Sequence, residues 1–482
     1  MLLALKTYFS ALSEKSLFSI LAVAFLVWMG MGIGFDRTWL MFLPILVVAG
    51  FLLIYNYKLL YWLLIASIPF SITKDFNQRL STDFPTEFIC IGLTAIFWAK
   101  FFIHKPQNLK FLWNHKLFWG ISILWLWSLI TSITAVNHLI AIKYILAKIW
   151  YITSFLIFTF WAIRTKDDIK ALFWTLYIPI MMTAVYSFIN TAIGGFNFEN
   201  TNKFSLPFYD NHVIYATTMT LLLPLVFIAR SWYGKGTVVY FILQLSIPFL
   251  LIAIYFSYTR ACYLALIVGL TMFIVLKFRK LIVTYSLAVM AVIGVLFFFS
   301  KDYFYLRLAP DYNTTVMHNE FKDHLISTFY GKDASSMERL NMWVSVFRMY
   351  QESPWVGYGP NNFPSTYKPY MVMYFKTWVS DNPLNLSCHN YFWLLLAEQG
   401  VVGVLLFVLF IGFILYYLQK IYHSTQDKSL KSFTGGILVC IGIFIVILFF
   451  NDLVETSKNG SIFFILIALL IRIHQLSIQE KN

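Results

Sequence analysis

Three basic side chains are predicted at one membrane face, where they would meet polar groups carried on a lipid: Arg260 and His389 open apolar stretches, and Arg339 lies in the polar segment between them. His389 lies in the string Ser-Cys-His-Asn-Tyr-Phe-Trp (387–393), which ends a long polar segment and opens an apolar one. The positive end of a helix dipole favours a neutral imidazole there, which can accept a proton from a hydroxyl. Arg260 and Arg339 carry planar, permanently charged groups that bind two phosphate oxygens at once. Together these residues predict a base beside a phosphate or diphosphate site.

Each of these residues also has a purely structural explanation. Arg260, at a membrane boundary, can extend its side chain to lipid phosphates and serve as an anchor. Arg339 can form a surface ion pair with Glu338 or Asp333, and His389 can be a helix cap. The catalytic interpretation therefore depends on their joint occurrence at one membrane face.

A second group of polar residues is predicted at the same face. Asp210 and His212 open another apolar stretch and are candidates for substrate binding, although a cap role for Asp210 or Asn211 is the simpler explanation. The aromatic residues of the long polar segment can stack on sugar rings, but Trp and Tyr are also common at membrane interfaces. These aromatic residues include Trp343, Trp355, Tyr358, Tyr367 and Trp378.

Three charged residues are predicted inside spans. Lys143 and Lys148 lie one to two turns below the same face, where they either extend toward the headgroups or attract a diphosphate. Glu398 lies about two turns inside the span that His389 opens. An acid inside a span marks a functional or structural polar contact, and we expect Glu398 to orient neighbouring helices.

The composition indicates that these residues belong to an integral membrane protein. The chain has 482 residues, of which 60% are hydrophobic and only 12% charged, and the apolar residues form runs of about 18 or more. The fold class is thus an all-α polytopic membrane protein. The first apolar run reads as a signal anchor. The net charge of +14 indicates contact with anionic membrane lipids and not with nucleic acid.

The apolar runs predict about 12 to 14 transmembrane helices, the third and the tenth of them short. Most Lys and Arg outside the long polar segment fall on the side of Met1, which places both termini in the cytoplasm. We predict one integral membrane domain in three parts: N-terminal spans in residues 1–300, one large periplasmic loop in residues 301–388, and C-terminal spans in residues 389–482. The spans begin near Leu17, Thr38, Lys58, Glu87, Leu117, Leu139, Asp168, Asn211, Thr237, Arg260, Lys280, Asn390, Ser432 and Gly460.

The long loop is predicted to contain a helix near residues 336–352. Ser335 and Glu338 form a capping box, and Pro354 ends the helical pattern. The sequence has no nucleotide-binding or metalloprotease motif, its four cysteines have no metal-ligand spacing, and we expect neither cofactor nor metal.

The motifs in their order resemble the O-antigen ligase and O-antigen polymerase superfamily, whose members are bacterial GT-C type glycosyltransferases. The resemblance covers roughly residues 208–410. Its motifs are Ser257-Tyr-Thr-Arg-Ala, Arg339-Leu-Asn-Met-Trp, Pro354-Trp-Val-Gly-Tyr-Gly with Asn362-Phe, His389-Asn-Tyr, and Glu398-Gln-Gly-Val-Val-Gly. The chain departs from the family in the extra sequence between residues 301 and 338 and in its larger number of spans.

The resemblance implies a metal-independent, inverting transfer of a glycan from undecaprenyl diphosphate at the periplasmic face of the inner membrane. By motif position, His389 matches the proposed catalytic base, and Arg260 and Arg339 match arginines that engage the lipid diphosphate. Tyr391 and Trp343 are further candidates for substrate binding.

Several functions are consistent with the sequence, and they differ mainly in the acceptor of the glycan. A ligase moves the glycan to lipid A core, which we favour slightly. A polymerase extends a growing glycan on lipid, and a protein O-oligosaccharyltransferase modifies a protein. A transporter or flippase for lipid-linked glycans is a function of another class, which predicts polar residues at mid-membrane and inverted repeats.

Overall fold

We describe the protein from a computed structural model over residues 57–77, 80–103, 109–197, 201–300, 334–372 and 387–480. The chain forms two compact units, residues 1–63 and residues 64–482. The predicted spans near Leu17 and Thr38 lie outside the described residues.

Almost all of the described chain is helical, and the prediction of an all-α polytopic membrane protein is confirmed. Helix α5 (His138–Tyr151) continues through a π-helical turn, Ile152–Ile157, to Ala162. The helices are α1 Tyr57–Ser67, α2 Thr86–Ile103, α3 Lys110–Trp113, α4 Lys116–Thr131, α5 His138–Tyr151, α6 Lys166–Ile193, α7 Thr201–Phe204, α8 His212–Arg230, α9 Val238–Phe256, α10 Arg260–Lys277, α11 Leu281–Ser300, α12 Ala334–Glu352, α13 Phe363–Thr366, α14 Tyr391–Ser424, α15 Lys428–Leu448 and α16 Ser457–Gln479.

Within the described ranges, ten helices are long and apolar enough to cross a membrane. Each span predicted from Lys58 onward has a helix. The predicted third span is α1, which has only 11 residues, whereas the tenth, α10, has 18 and is long enough to cross. Three short 3-10 turns connect helices, at Ser132–Thr134, Lys368–Tyr370 and Leu453–Glu455.

A small antiparallel hairpin was not predicted. Strands β1 (Ile72–Asn77) and β2 (Leu80–Phe84) precede α2, and Thr73 pairs with Asp83. The segment is short and polar, and its strand character depends on pairing with itself, which hydropathy does not register.

The connections between helices meet at two ends of the bundle. At the end that we call the loop end, Val136 N donates to Tyr358 O at 3.3 Å, although the two residues are far apart in sequence. At the opposite end, Lys166 forms ion pairs with Asp427 at 2.8 Å and with Glu480 at 2.6 Å. The helices therefore run between two polar layers, as membrane spans do.

Helices α10 and α15 pack closely and antiparallel because glycines face each other. A Cβ on Gly442 would lie 3.0 Å from the Gly269 Cα, so neither position has room for a larger side chain. Phe273 lies against Gly435, further toward the opposite end. This contact holds α10, which begins with Arg260, at a fixed level beside α15.

The long polar loop contains the predicted helix. Helix α12 begins at Ala334, one residue before the predicted cap Ser335, and ends two residues before Pro354. It packs against α14, and its buried residues include Val346 and Met349. Helix α12 covers residues 336–352, where the sequence predicts a helix.

Candidate active site

The segment that carries His389 is fastened to the connection between α15 and α16. Asn390 Nδ2 donates to Phe449 O at 3.0 Å, and the His389 side chain forms a hydrogen bond with Asn451. Ser387 forms a side-chain hydrogen bond with Asp452, and burial raises the pKa of the Asp452 carboxyl. Residues 387–390 and 449–452 thus form one paired unit at the loop end.

His389 is not the helix cap. The cap of α14 is Asn390, whose Oδ1 accepts from Phe392 N at 3.0 Å and Trp393 N at 3.1 Å. The His389 backbone has a φ of 52°, an uncommon left-handed conformation that typically carries a cost and clusters at functional sites. A structural cap therefore does not account for this residue.

The imidazole of His389 is held neutral. Burial lowers its pKa from 6.5 to about 4, the positive charge of Arg339 contributes to the lowering, and the hydrogen bond with Asn451 opposes it. At neutral pH the ring has a free lone pair for a proton, and it lies close enough to a guanidinium for their charges to interact. A base and an anion-binding group are thereby neighbours.

Helix α12 brings Arg339 to this place. Trp343, one turn further along the helix, donates from Nε1 to Cys388 O at 2.9 Å and stacks on Trp393 at 6.4 Å between ring centroids. These contacts tie α12 to the residues on either side of His389. Trp343 therefore has a structural role here, and its predicted role in substrate binding stays a prediction.

Arg260 is the first residue of α10 and follows a turn with strained backbone. Tyr258 in this turn has a φ of 53°, and its hydroxyl donates to Phe196 O at 2.6 Å. Arg260 and Asn451 each lie nine residues from the Gly269–Gly442 contact, toward the loop end. Both residues therefore lie at the loop end of the bundle, Arg260 at the start of α10 and Asn451 just after the end of α15.

Helix α14 is broken below His389, where sequence predicts a continuous span. Gly400 has φ 67° and ψ −173°, which is not helical. The carbonyls of Ala397 and Glu398 instead accept from Tyr358 N at 3.0 Å and Gly359 N at 2.9 Å. Because a span has no water for unpaired backbone groups, the break depends on these outside donors.

Glu398 holds the same loop by its carboxylate. Its Oε2 accepts from Asn361 N at 2.8 Å, and its Oε1 accepts from Phe363 N at 3.1 Å. The segment 353–363, which we call the docking loop, also bonds to the turn before α5, where Asn362 Oδ1 accepts from Asn137 N at 2.7 Å. Glu398 therefore orients a loop against the bundle, which sharpens the structural role that we expected from sequence.

The two predicted lysines have different surroundings. Lys148 Nζ forms an ion pair with Glu455 at 2.7 Å, and a cavity of about 60 Å³ is lined by Lys148, Tyr144 and Tyr391 among others. Lys143 is half-buried on the same helix, α5. Tyr391 is buried, and its hydroxyl donates to Glu455 at 2.8 Å.

Asp210 and His212 form a group of their own at the loop end. Asp210 accepts from the Thr73 hydroxyl of the hairpin at 3.1 Å. The cap of α8 is Asn211, as the simpler explanation had it, with bonds to Val213 N and Ile214 N. His212 lines a cavity of about 10 Å³ with Ser257 of the turn before Arg260.

The structure thus brings His389 close to Arg339 and places Arg260 at the same end of the bundle. Sequence reasoning missed Asn451, Asp452 and Glu455. The signal was present, because two acids and an amide stand together in Asn-Asp-Leu-Val-Glu (451–455), between two apolar runs at the same boundary.

The comparison with protein families bears on this arrangement. Residues 245–408 match the family model described as O-antigen ligase. The resemblance to the O-antigen ligase and polymerase superfamily is confirmed. No curated protein matches the chain.

The O-antigen ligase match begins within α9 and ends within α14, so it includes Arg260, Arg339, His389 and the break at Gly400. It supports a function of the ligase or polymerase type in a multi-pass membrane protein. Asn451 and Glu455 lie beyond the matched residues and join the site through the fold.

Proposed function

We propose that this protein is a glycosyltransferase that moves a glycan from undecaprenyl diphosphate to an acceptor hydroxyl at the periplasmic face of the bacterial inner membrane. Lipid A core is the favoured acceptor. Both termini are then cytoplasmic, and the loop end faces the periplasm. The observation that carries the proposal is a half-buried imidazole, His389, whose pKa is lowered to about 4 and whose charge interacts with the guanidinium of Arg339.

In the proposed reaction, His389 accepts the proton of the acceptor hydroxyl as its oxygen attacks the anomeric carbon of the donor sugar. The bond between that carbon and the diphosphate oxygen breaks, and configuration inverts. Arg339 and Arg260 hold the leaving diphosphate as its negative charge grows. The charge balance needs no metal, because two guanidinium groups oppose the diphosphate.

The other predicted residues have supporting roles in the proposal. Lys143 and Lys148 contribute positive charge below the site, while Asp210 and His212 line a neighbouring part of the loop end. Trp343, which donates from α12 to Cys388 O, and Tyr391, the first residue of α14, are proposed to contact substrate.

The test is reconstitution in vesicles with undecaprenyl diphosphate-linked glycan and three acceptors, namely lipid A core, a second lipid-linked glycan and a protein. We expect transfer to lipid A core and a loss of about 10² to 10⁴ in rate for His389→Ala. The matched control is His138→Ala, an exposed histidine at the same end, which should keep the wild-type rate.

Other outcomes identify other functions. A lengthened lipid-linked chain indicates a polymerase, and a modified protein indicates a protein O-oligosaccharyltransferase. Movement of the lipid-linked glycan across the vesicle without transfer would indicate a flippase and contradict the proposal, as would full transfer by His389→Ala at normal protein level.

A further inference from the structure

The half-buried carboxylate of Glu455 binds three donors, which come from two helices. Glu455 Oε2 pairs with Lys148 Nζ at 2.7 Å. Its Oε1 accepts from the hydroxyl of Tyr391 at 2.8 Å and from that of Tyr144 at 3.1 Å. The side chains of Lys148 and Glu455 are only 18% and 19% exposed. No role follows for this cluster from the transfer chemistry alone.

The cluster lies where the two halves of the paired unit around His389 enter the bundle. Tyr391 is two residues after His389 and begins α14. Glu455 ends the 3-10 turn that follows Asn451, the hydrogen-bond partner of the imidazole. The bond between Tyr391 and Glu455 therefore joins the segment of the base to the segment of its partner from below.

The third segment in the cluster is α5, which contributes Lys148 and Tyr144. Lys148 lies four residues before a π-helical turn, Ile152–Ile157, that packs against α16. Such turns occur frequently at functional sites because they redirect side chains. The lysine fixes one oxygen of Glu455 and leaves the other to the two tyrosines.

Buried ion pairs are an expensive means of holding helices together. Two charges lose their hydration, and apolar residues of the same size often hold a fold as well or better. Ionisable groups within membrane spans are accordingly rare and mark functional contacts. The ion pair between Lys148 and Glu455, which Tyr391 links to the segment of His389, is therefore expected to contribute to the reaction.

We infer that Tyr391 and Glu455 are positioning residues. They hold the His389 imidazole against Asn451, in the orientation in which the ring can accept the proton of the acceptor hydroxyl. The inference rests on the proposed function. Lys148 holds the Glu455 carboxylate in place and is thereby removed from direct contact with the donor. The role differs from the substrate contact that we proposed for Tyr391 and Lys148, and the two roles have different kinetic signatures.

The two tyrosines provide a matched pair of variants. Tyr391→Phe and Tyr144→Phe each remove one hydroxyl from the same oxygen of Glu455, but only Tyr391 belongs to the segment of His389. Both replacements keep the ring, so the bundle should fold in each case. We expect similar thermal stability for the two variants, measured in the same detergent.

The kinetic experiment uses the full-length protein in vesicles with lipid-linked glycan and acceptor. We expect Tyr391→Phe to lower kcat at least tenfold while KM stays within twofold. Tyr144→Phe should lower kcat less than threefold. An equal decrease in kcat in the two variants would show that the cluster only stabilises the fold, and it would overturn the inference. A raised KM with unchanged kcat in Tyr391→Phe would also overturn it, since the hydroxyl would then bind substrate.

Wild-type protein and His389→Ala, measured together with these variants, separate the two proposals. If wild-type protein transfers no glycan, or His389→Ala remains active, the proposed function fails. If transfer depends on His389 but the two tyrosine variants behave alike, only the positioning inference fails.

Discussion

The imidazole of His389 has two neighbours that shift its pKa in opposite directions. The positive charge of Arg339 adds to burial in lowering the pKa, and the hydrogen bond with Asn451 raises it, with a resulting pKa of about 4. A base acts only when it is unprotonated, so transfer should be constant around neutral pH and fall as the pH decreases through about 4. Acid inactivation is thus a property of a single residue.

Two substitutions should move this acid limit in opposite directions. Asn451→Ala removes the bond that favours the protonated ring, so the fall in kcat/KM moves to lower pH. Arg339→Gln removes a like charge, so the fall moves to higher pH. Asn451→Ala should lower the rate roughly fivefold, which corresponds to about 1 kcal/mol for one hydrogen bond. Arg339→Gln should lower it about 10² to 10³-fold, because the leaving diphosphate loses a ligand.

The measurement is kcat/KM against pH, which reports the pKa of the free enzyme. Each protein is first exposed to the low pH and then assayed at pH 7, to separate titration from unfolding. His138→Ala is the control and should leave the profile unchanged. Shifts of the same sign in the two variants would show that His389 is not the group that titrates.

At the scale of elements, the docking loop and the break in α14 depend on each other. Val401 N has no helical partner and donates to Pro354 O at 2.9 Å, while the carbonyl of Gln399 accepts from Trp127 Nε1 at 3.0 Å. Gly357 and Gly400 approach the backbone of the other segment, so neither has room for a side chain. The loop completes the hydrogen bonds of the helix, and the helix fixes the loop.

Alanine at either glycine should therefore separate the two elements. A Cβ at Gly400 would lie 2.3 Å from the Trp355 carbonyl carbon, and one at Gly357 would lie 2.5 Å from the Glu398 carbonyl carbon. Both residues also have positive φ. We expect Gly400→Ala and Gly357→Ala to lower the free energy of unfolding by about 2 to 4 kcal/mol and to decrease glycan transfer.

The control for these variants is Gly294→Ala. Gly294 lies in α11, and a Cβ there would have no atom within 4 Å. Thermal unfolding in detergent and protease cleavage within residues 353–363 measure the effect. Wild-type stability for Gly400→Ala would contradict the mutual dependence of loop and break.

The positions of the helices could be predicted from the sequence, whereas the break in α14 could not. Hydropathy placed the helices to within a few residues, because burial in a membrane requires long apolar runs. It also put Arg260 and His389 at span boundaries and Arg339 in the loop between spans. The break at Gly400 was not predicted, because its cause is a set of bonds to residues 39 to 47 positions earlier and not a local polar stretch.

The partners of the site were missed for a related reason. Asn451 and Glu455 belong to a short connection, whose polar residues look in sequence like any boundary between spans. Their roles come from the approach of α14, α5 and the connection in space. Lys148 was found from its unusual position in a span, but its partner Glu455 is 307 residues later in the chain and no pattern joins them.

At the scale of the whole molecule, the two polar layers have different tasks. The loop end contains the candidate active site and the docking loop. The opposite end contains surface ion pairs such as Lys166 with Asp427 and Glu480. Exposed pairs of this kind contribute about 0 to 1 kcal/mol each, so they tie helices together without deciding the fold. The proposed function requires that the loop end face the periplasm.

Cysteine labelling tests this orientation directly. All four native cysteines are buried, so the unmodified protein should react little with a membrane-impermeant thiol reagent. His138, the first residue of α5 at the loop end, is exposed, and Lys235, in the turn between α8 and α9 at the opposite end, is also exposed. His138→Cys should be labelled in intact spheroplasts. Lys235→Cys should be labelled only after the membrane is permeabilised, because the bilayer separates it from the reagent.

The two positions lie at opposite ends of the bundle, so their labelling must be complementary if the helices cross the membrane. Labelling of both variants after permeabilisation is the control for exposure and shows that each cysteine can react. The reverse pattern, with Lys235→Cys labelled in intact spheroplasts and His138→Cys protected, would place His389 at the cytoplasmic face. A periplasmic acceptor could then not reach the base, and transfer at the periplasmic face would be ruled out.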